Sequence, residues 1–193
     1  LGYVGLPLAQ EACRSGLKAT GLDTDPSVVS ALSAGVSHID DIDPADLAEM
    51  LGAGFLATTR PTCISDSDVI IICVPTPLDD DGTPDLGAVK AATRTVSEHL
   101  QPGSLVVLES TTYPGTTEDT VRPLLEEGSG LTAGIDFNLA YSPERIDPGN
   151  PEWGLRNTPK IVGGLTADCT ERAVQFYEKI VDTVVPTVGL REA

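Results

Sequence analysis

The chain opens Leu1-Gly2-Tyr3-Val4-Gly5-Leu6-Pro7-Leu8-Ala9, two closely spaced glycines ahead of an apolar, helix-compatible run. Gly2 and Gly5 fit the second and third glycines of a G-x-G-x-x-G turn whose first glycine would stand just before Leu1. Such a turn joins a strand to a helix, and its bare backbone can approach a pyrophosphate at the helix N-terminus. Pro7 suits a first helical turn, where its missing N–H costs nothing, and Gly16 supplies a stop. Lys18 to Asp23 reads as a short strand ending in an acid, at the distance past the glycines where a ribose-binding carboxylate belongs. The acid favours dinucleotide binding over an ordinary glycine turn. A strand before the turn would lie at the centre of a doubly wound sheet, and its loss would leave two edges unpaired. We therefore expect a fragment of a longer chain, lacking that first strand.

Strand-like and helix-like segments alternate beyond Asp23. Helices are expected over Pro26–Leu32, Leu47–Leu51, from an Asp85 cap through Leu100, over Thr116–Glu127 with a kink at Pro123, and over Ala167–Ile180. Strands are expected at Phe55–Thr59, Asp68–Val74, Leu105–Leu108, Asn138–Tyr141, Lys160–Gly164 and Thr183–Pro186. The unbroken β-branched run of Asp68–Val74 predicts burial on both faces. The pattern predicts an α/β, doubly wound, mostly parallel, Rossmann-type sheet in a single domain over residues 1–193.

Charge narrows the partners. Twenty-nine acids against 12 Lys and Arg give a net charge of −17, which disfavours nucleic acid and anionic membranes. No apolar run approaches a membrane span, and Cys13, Cys63, Cys73 and Cys169 lack metal-site or redox-pair spacing. Reduced thiols and a cytoplasmic setting are expected, with no metal. The Asp79-Asp80-Asp81 run before Gly82 reads as a solvated turn rather than a cation site, and His38 and His99 read as surface residues. Trp153 could anchor its loop against the core or stack on a base.

Ligands of open α/β sheets bind beyond the carboxyl ends of the strands. Four polar or rigid loops fall there: Asp23, Val74-Pro75-Thr76-Pro77, Ser110 to Gly115, and Ser142-Pro143-Glu144-Arg145. Asp23 would accept from both ribose hydroxyls and repel a 2′-phosphate, favouring NAD over NADP. Asp25 would add to that repulsion or cap the helix at Pro26. Glu144 would serve as a general base, pair with Arg145, or cap a helix.

Gly2-Tyr3-Val4-Gly5-Leu6-Pro7, Cys73-Val74-Pro75-Thr76-Pro77, Glu109 to Thr116 and Tyr141 to Gly149, in this order, resemble the NAD-dependent nucleotide-sugar 6-dehydrogenases. Those enzymes oxidise a UDP-sugar to its uronic acid. The last stretch is most similar to the branch acting on UDP-N-acetylglucosamine or UDP-N-acetylmannosamine. The UDP-glucose branch has Phe-Leu and a second glutamate where this chain has Arg145-Ile146 and Pro148. The resemblance implies that Gly2, Tyr3, Val4 and Gly5 meet the pyrophosphate and Asp23 the adenosine ribose. It implies that Val74, Pro75, Thr76, Pro77 and Ser110 line the cofactor site, and that Thr111 holds a catalytic water beside it. Glu144 would lie near both cofactor and reacting carbon, with Arg145 toward the substrate.

Two hydrides would pass to NAD through a thiohemiacetal and a thioester on a cysteine of a second domain. That cysteine, the assisting lysine, the connecting helix and the UDP-sugar domain are not in this sequence, so the fragment alone is expected to be inactive. The family's second domains usually pair into dimers or larger assemblies. Three rival readings remain: plain UDP-glucose oxidation, a two-electron hydroxy-acid dehydrogenase, and a non-catalytic dinucleotide-binding module.

Overall fold

A computed structural model describes residues 1–79, 82–145 and 152–193. Asp80 and Asp81 of the acidic turn, and residues 146–151 after Arg145, lie outside the described residues. The chain forms two compact units, one of Leu1–Cys63, Arg145–Pro159 and Lys179–Thr183, the other of Ile64–Glu144, Lys160–Glu178 and Val184–Ala193.

The first unit runs α1 (Gly5–Arg14), β1 (Thr20–Leu22), α2 (Pro26–Ser33), α3 (Pro44–Gly52) and β2 (Leu56–Thr58). β1 and β2 pair in parallel, Thr20 against Leu56 and Leu22 against Thr58. Leu6, Leu32, Leu47, Met50 and Phe55 fill its core, each fully buried leucine contributing about 2 kcal/mol. α1 ends as expected at Gly16, whose φ of 76° is a left-handed conformation that glycine adopts without strain. Asp25 caps α2 by accepting from the Ser27 N–H at 2.8 Å, so its capping reading holds. Asp43 caps α3 from the Asp46 N–H at 2.8 Å, with Pro44 in its first turn. α3 thus begins before Leu47, because Asp43-Pro44 repeats the start signal of Asp25-Pro26.

The second unit holds β3 (Val69–Ile72), α4 (Gly87–Ser97), β4 (Leu105–Leu108), α5 (Arg122–Ser129), β5 (Asn138–Tyr141), β6 (Lys160–Gly164), α6 (Ala167–Tyr177) and β7 (Val184–Pro186). Its sheet is ordered β3-β4-β5-β6-β7. All pairings are parallel except β5–β6, where Ala140 faces Gly164 and Tyr141 faces Gly163. β4 is buried along its whole length.

Three expectations need correction. β3 is not buried on both faces: Ile70 and Ile72 are buried while Val69 and Ile71 are only partly buried. Asp85 does not occupy the cap position of α4; its carboxylate accepts from the Gly87 N–H at 2.7 Å, from just outside the Leu86 cap. Pro123 does not lie midway in an unbroken α-helix: a wide π-helical turn spans Thr117–Val121 and runs straight into α5, whose first turn holds Pro123.

Among the described residues no helix is long and apolar enough to cross a membrane. His38 is exposed and His99 half-buried, and Trp153 is 49% exposed.

Candidate functional site

In the first unit the glycine turn runs directly into α1. The Leu6 N–H bonds the Gly2 carbonyl at 3.1 Å, and no side chain caps the helix N-terminus at Val4. A Cβ placed on Gly2 would meet nothing within 4 Å. The turn therefore faces open space with the positive end of a helix behind it, a geometry suited to a pyrophosphate. Asp23 follows β1 and comes to the same turn, its Oδ2 accepting from the amino group of Leu1. Its Oδ1 accepts from the Asp25 N–H at 2.9 Å. Burial pushes the Asp23 carboxyl up, and the hydrogen bond from the Asp25 amide pulls it down. Gly2, Tyr3, Val4, Gly5 and Asp23 are thus brought together. Arg145, in this unit, is exposed.

In the second unit the loops after β3 and β4 are tied to each other. The Ser110 hydroxyl accepts from the Val74 N–H at 3.1 Å and donates to the Val74 carbonyl at 2.8 Å. The Thr76 hydroxyl donates to the Thr111 carbonyl at 2.5 Å. Pro77 joins through its carbonyl, which accepts from the Asp85 N–H at 2.7 Å. Ser110 is buried and Thr111 exposed, so one residue fastens the loop and the next is presented to solvent. Tyr141, at the end of β5, hydrogen-bonds Thr112, and burial raises its hydroxyl above the ordinary value.

Glu144 stands two residues past Ser142, whose N–H bonds the Leu108 carbonyl at 3.1 Å and whose hydroxyl donates to the Ile161 carbonyl at 2.7 Å. Pinned to both neighbouring strands, Ser142 sets where Glu144 emerges, half-buried.

A family model, the NAD-binding domain of the UDP-glucose/GDP-mannose dehydrogenases, matches residues 1–181. The chain belongs to this family. A UDP-N-acetyl-D-mannosamine dehydrogenase from Pyrococcus horikoshii is 41% identical over 184 residues, 94% of this chain and 43% of the relative. A UDP-N-acetyl-D-glucosamine 6-dehydrogenase from Pseudomonas aeruginosa is 37% identical over 183 residues, 94% of this chain and 42% of the relative. The solved structure of the Pyrococcus horikoshii UDP-D-ManNAc dehydrogenase superposes with a TM-score of 0.91 at 38% identity, covering 98% of this chain and 46% of that one. The chain therefore spans less than half the length of these relatives.

This NAD-binding domain also contains a group of residues that sequence reasoning did not single out. Glu109, at the end of β4, is buried with Lys160, which opens β6, and Tyr177, which closes α6. Lys160 Nζ donates to Glu109 Oε1, and the Tyr177 hydroxyl donates to Oε2 at 2.5 Å. Lys160 Nζ also reaches the Pro143 carbonyl at 3.4 Å and lies 5.5 Å from the centre of the Tyr177 ring. Burial raises the Glu109 carboxyl, while Lys160 and Tyr177 oppose the shift. Burial, then Glu109, pushes the Cys73 thiol well above its usual range, so Cys73 is a protonated packing residue here. The signal available in the sequence was a glutamate directly after an apolar strand and a lysine opening another.

Proposed function

We propose that the protein carrying this chain oxidises the 6-hydroxyl of a UDP-N-acetylhexosamine to the uronic acid, passing two hydrides in turn to NAD. The observation that carries the reading is the Ser142-Pro143-Glu144-Arg145 loop, held at the end of β5 in a chain whose relatives bear UDP-N-acetylmannosamine and UDP-N-acetylglucosamine dehydrogenase names. NAD supplies the hydride acceptor. The open space before Gly2 and the uncapped start of α1 fit its pyrophosphate, with contacts from Gly2, Tyr3, Val4 and Gly5. Asp23 binds the adenosine ribose. Val74, Pro75, Thr76, Pro77 and Ser110 form the cofactor-side loops.

Thr111, exposed on its fastened loop, holds the water that ends the reaction. Glu144, beside Thr111 in role, takes the proton and contacts cofactor and substrate; Arg145 contacts the substrate. Cys13, Cys73 and Cys169 are free thiols, which fits a reducing, cytoplasmic setting. Subunit pairing would be made by segments outside this chain.

Purified full-length protein should reduce two NAD for each UDP-N-acetylhexosamine consumed. One NADH with release of an aldehyde would overturn the four-electron reading. A higher kcat/KM for UDP-glucose would reassign the sugar, and NAD binding without turnover on any UDP-sugar would favour a non-catalytic module.

A further inference from the structure

Glu109, Lys160 and Tyr177 come from three elements, and the lysine is 51 residues and the tyrosine 68 residues from the glutamate in sequence. A buried ion pair is a poor source of stability, since apolar residues of equal volume hold a core at least as well. What it gives here is connection. Glu109 is covalently joined to Ser110, which precedes Thr111, and its carboxylate is gripped by the amine that also reaches the Pro143 carbonyl, next to Glu144. The Tyr177 hydroxyl holds the second carboxylate oxygen, so Glu109 cannot turn away without losing two charge-assisted bonds.

We propose that Glu109, Lys160 and Tyr177 are positioning residues that fix the Glu144 loop relative to the Thr111 loop through the Lys160–Pro143 contact. The kinetic part of this inference rests on the UDP-sugar reading above; the geometric part does not. Both charges are buried. Both act through backbone, one through the residue that follows it and one through a carbonyl.

The test uses full-length protein carrying Glu109→Gln with Lys160→Met, which removes both charges and leaves no lone ion buried. Global melting temperature and NAD affinity should stay near wild type. Amide exchange in the peptide holding Ser142, Glu144 and Arg145 should quicken by about tenfold or more while β4 remains protected. With UDP-N-acetylhexosamine, kcat should fall by about a hundredfold with little change in KM, the cost of a small misplacement of reacting groups. Lys160→Arg, which keeps charge and donors, should restore both readouts.

A double variant with wild-type exchange in that peptide overturns the proposal, whatever the substrate proves to be. If the wild-type protein turns over no UDP-sugar, the functional reading fails and the exchange comparison still decides this one. If the double variant does not fold, Tyr177→Phe, which loosens Glu109 while keeping both charges, should quicken the same peptide. Unchanged exchange there overturns it equally.

Discussion

Asp23 and Asp25 stand two positions apart and do different work. Asp25 is bound to the Ser27 amide and hydroxyl at 2.8 and 2.6 Å, and those bonds lower its carboxyl below the ordinary 3.8. Its capping of α2 is therefore fully present above that value and is lost as pH falls through the lower, folded value. Thermal melts of wild type and Asp25→Ala should differ at neutral pH and draw together on acidification below the ordinary carboxylate range. Asp23→Asn should also cost some stability, since the Asp25 amide loses a charged acceptor. It should weaken NAD by about tenfold, as expected when a charged hydrogen-bond partner is lost, and narrow the preference over NADP; calorimetric titration reads both. Ser110→Ala removes the hydroxyl that serves both polar groups of Val74. It should cost about 1–3 kcal/mol in denaturant unfolding, the penalty for an unpaired amide. At this scale the sequence was most readable where chemistry is local. The Asp25 cap beside Pro26 could be read directly, whereas the roles of Glu109 and Tyr177 depend on contacts 68 residues apart.

Elements were legible in proportion to how sharply their ends are marked. Leu105–Leu108, Asn138–Tyr141 and Lys160–Gly164 run as the residues suggest, since each apolar stretch is bounded by polar or turn-forming neighbours. Helix starts were harder. Asp85 and the Leu86 cap compete for the same turn, and the wide turn at Thr117–Val121 answers to packing that no periodicity reports. α6 gives a direct check, because the Thr166 hydroxyl accepts from the Cys169 N–H at 3.2 Å. Thr166→Ala should lower stability by about 1 kcal/mol, read as a lower denaturant midpoint with unchanged slope.

For the molecule as a whole, alternation of strand and helix carried the fold class. The division into two compact units was not foreseen, because it depends on which segments return to which core: Arg145–Pro159 and Lys179–Thr183 go back to the N-terminal unit. Arg156 marks that return, 3.3 Å from Asp182 and 3.6 Å from Glu11. The seat of α6 on β6 depends on an absent side chain. A Cβ on Gly164 would lie 2.2 Å from the Thr170 amide nitrogen. Gly164→Ala should thus push helix from sheet and destabilise by about 3 kcal/mol, measured by thermal unfolding.

The reversed pairing of β5 and β6 has an outcome beyond topology. With Tyr141 opposite Gly163, the incoming strand begins beside the rim where the outgoing one stops. Had β6 run the other way, its first residue would open at the far edge, and the Lys160 amine could not reach a carbonyl next to Glu144. Turning one ribbon around sets the buried Lys160 amine against the glutamate that ends β4, without a dedicated loop.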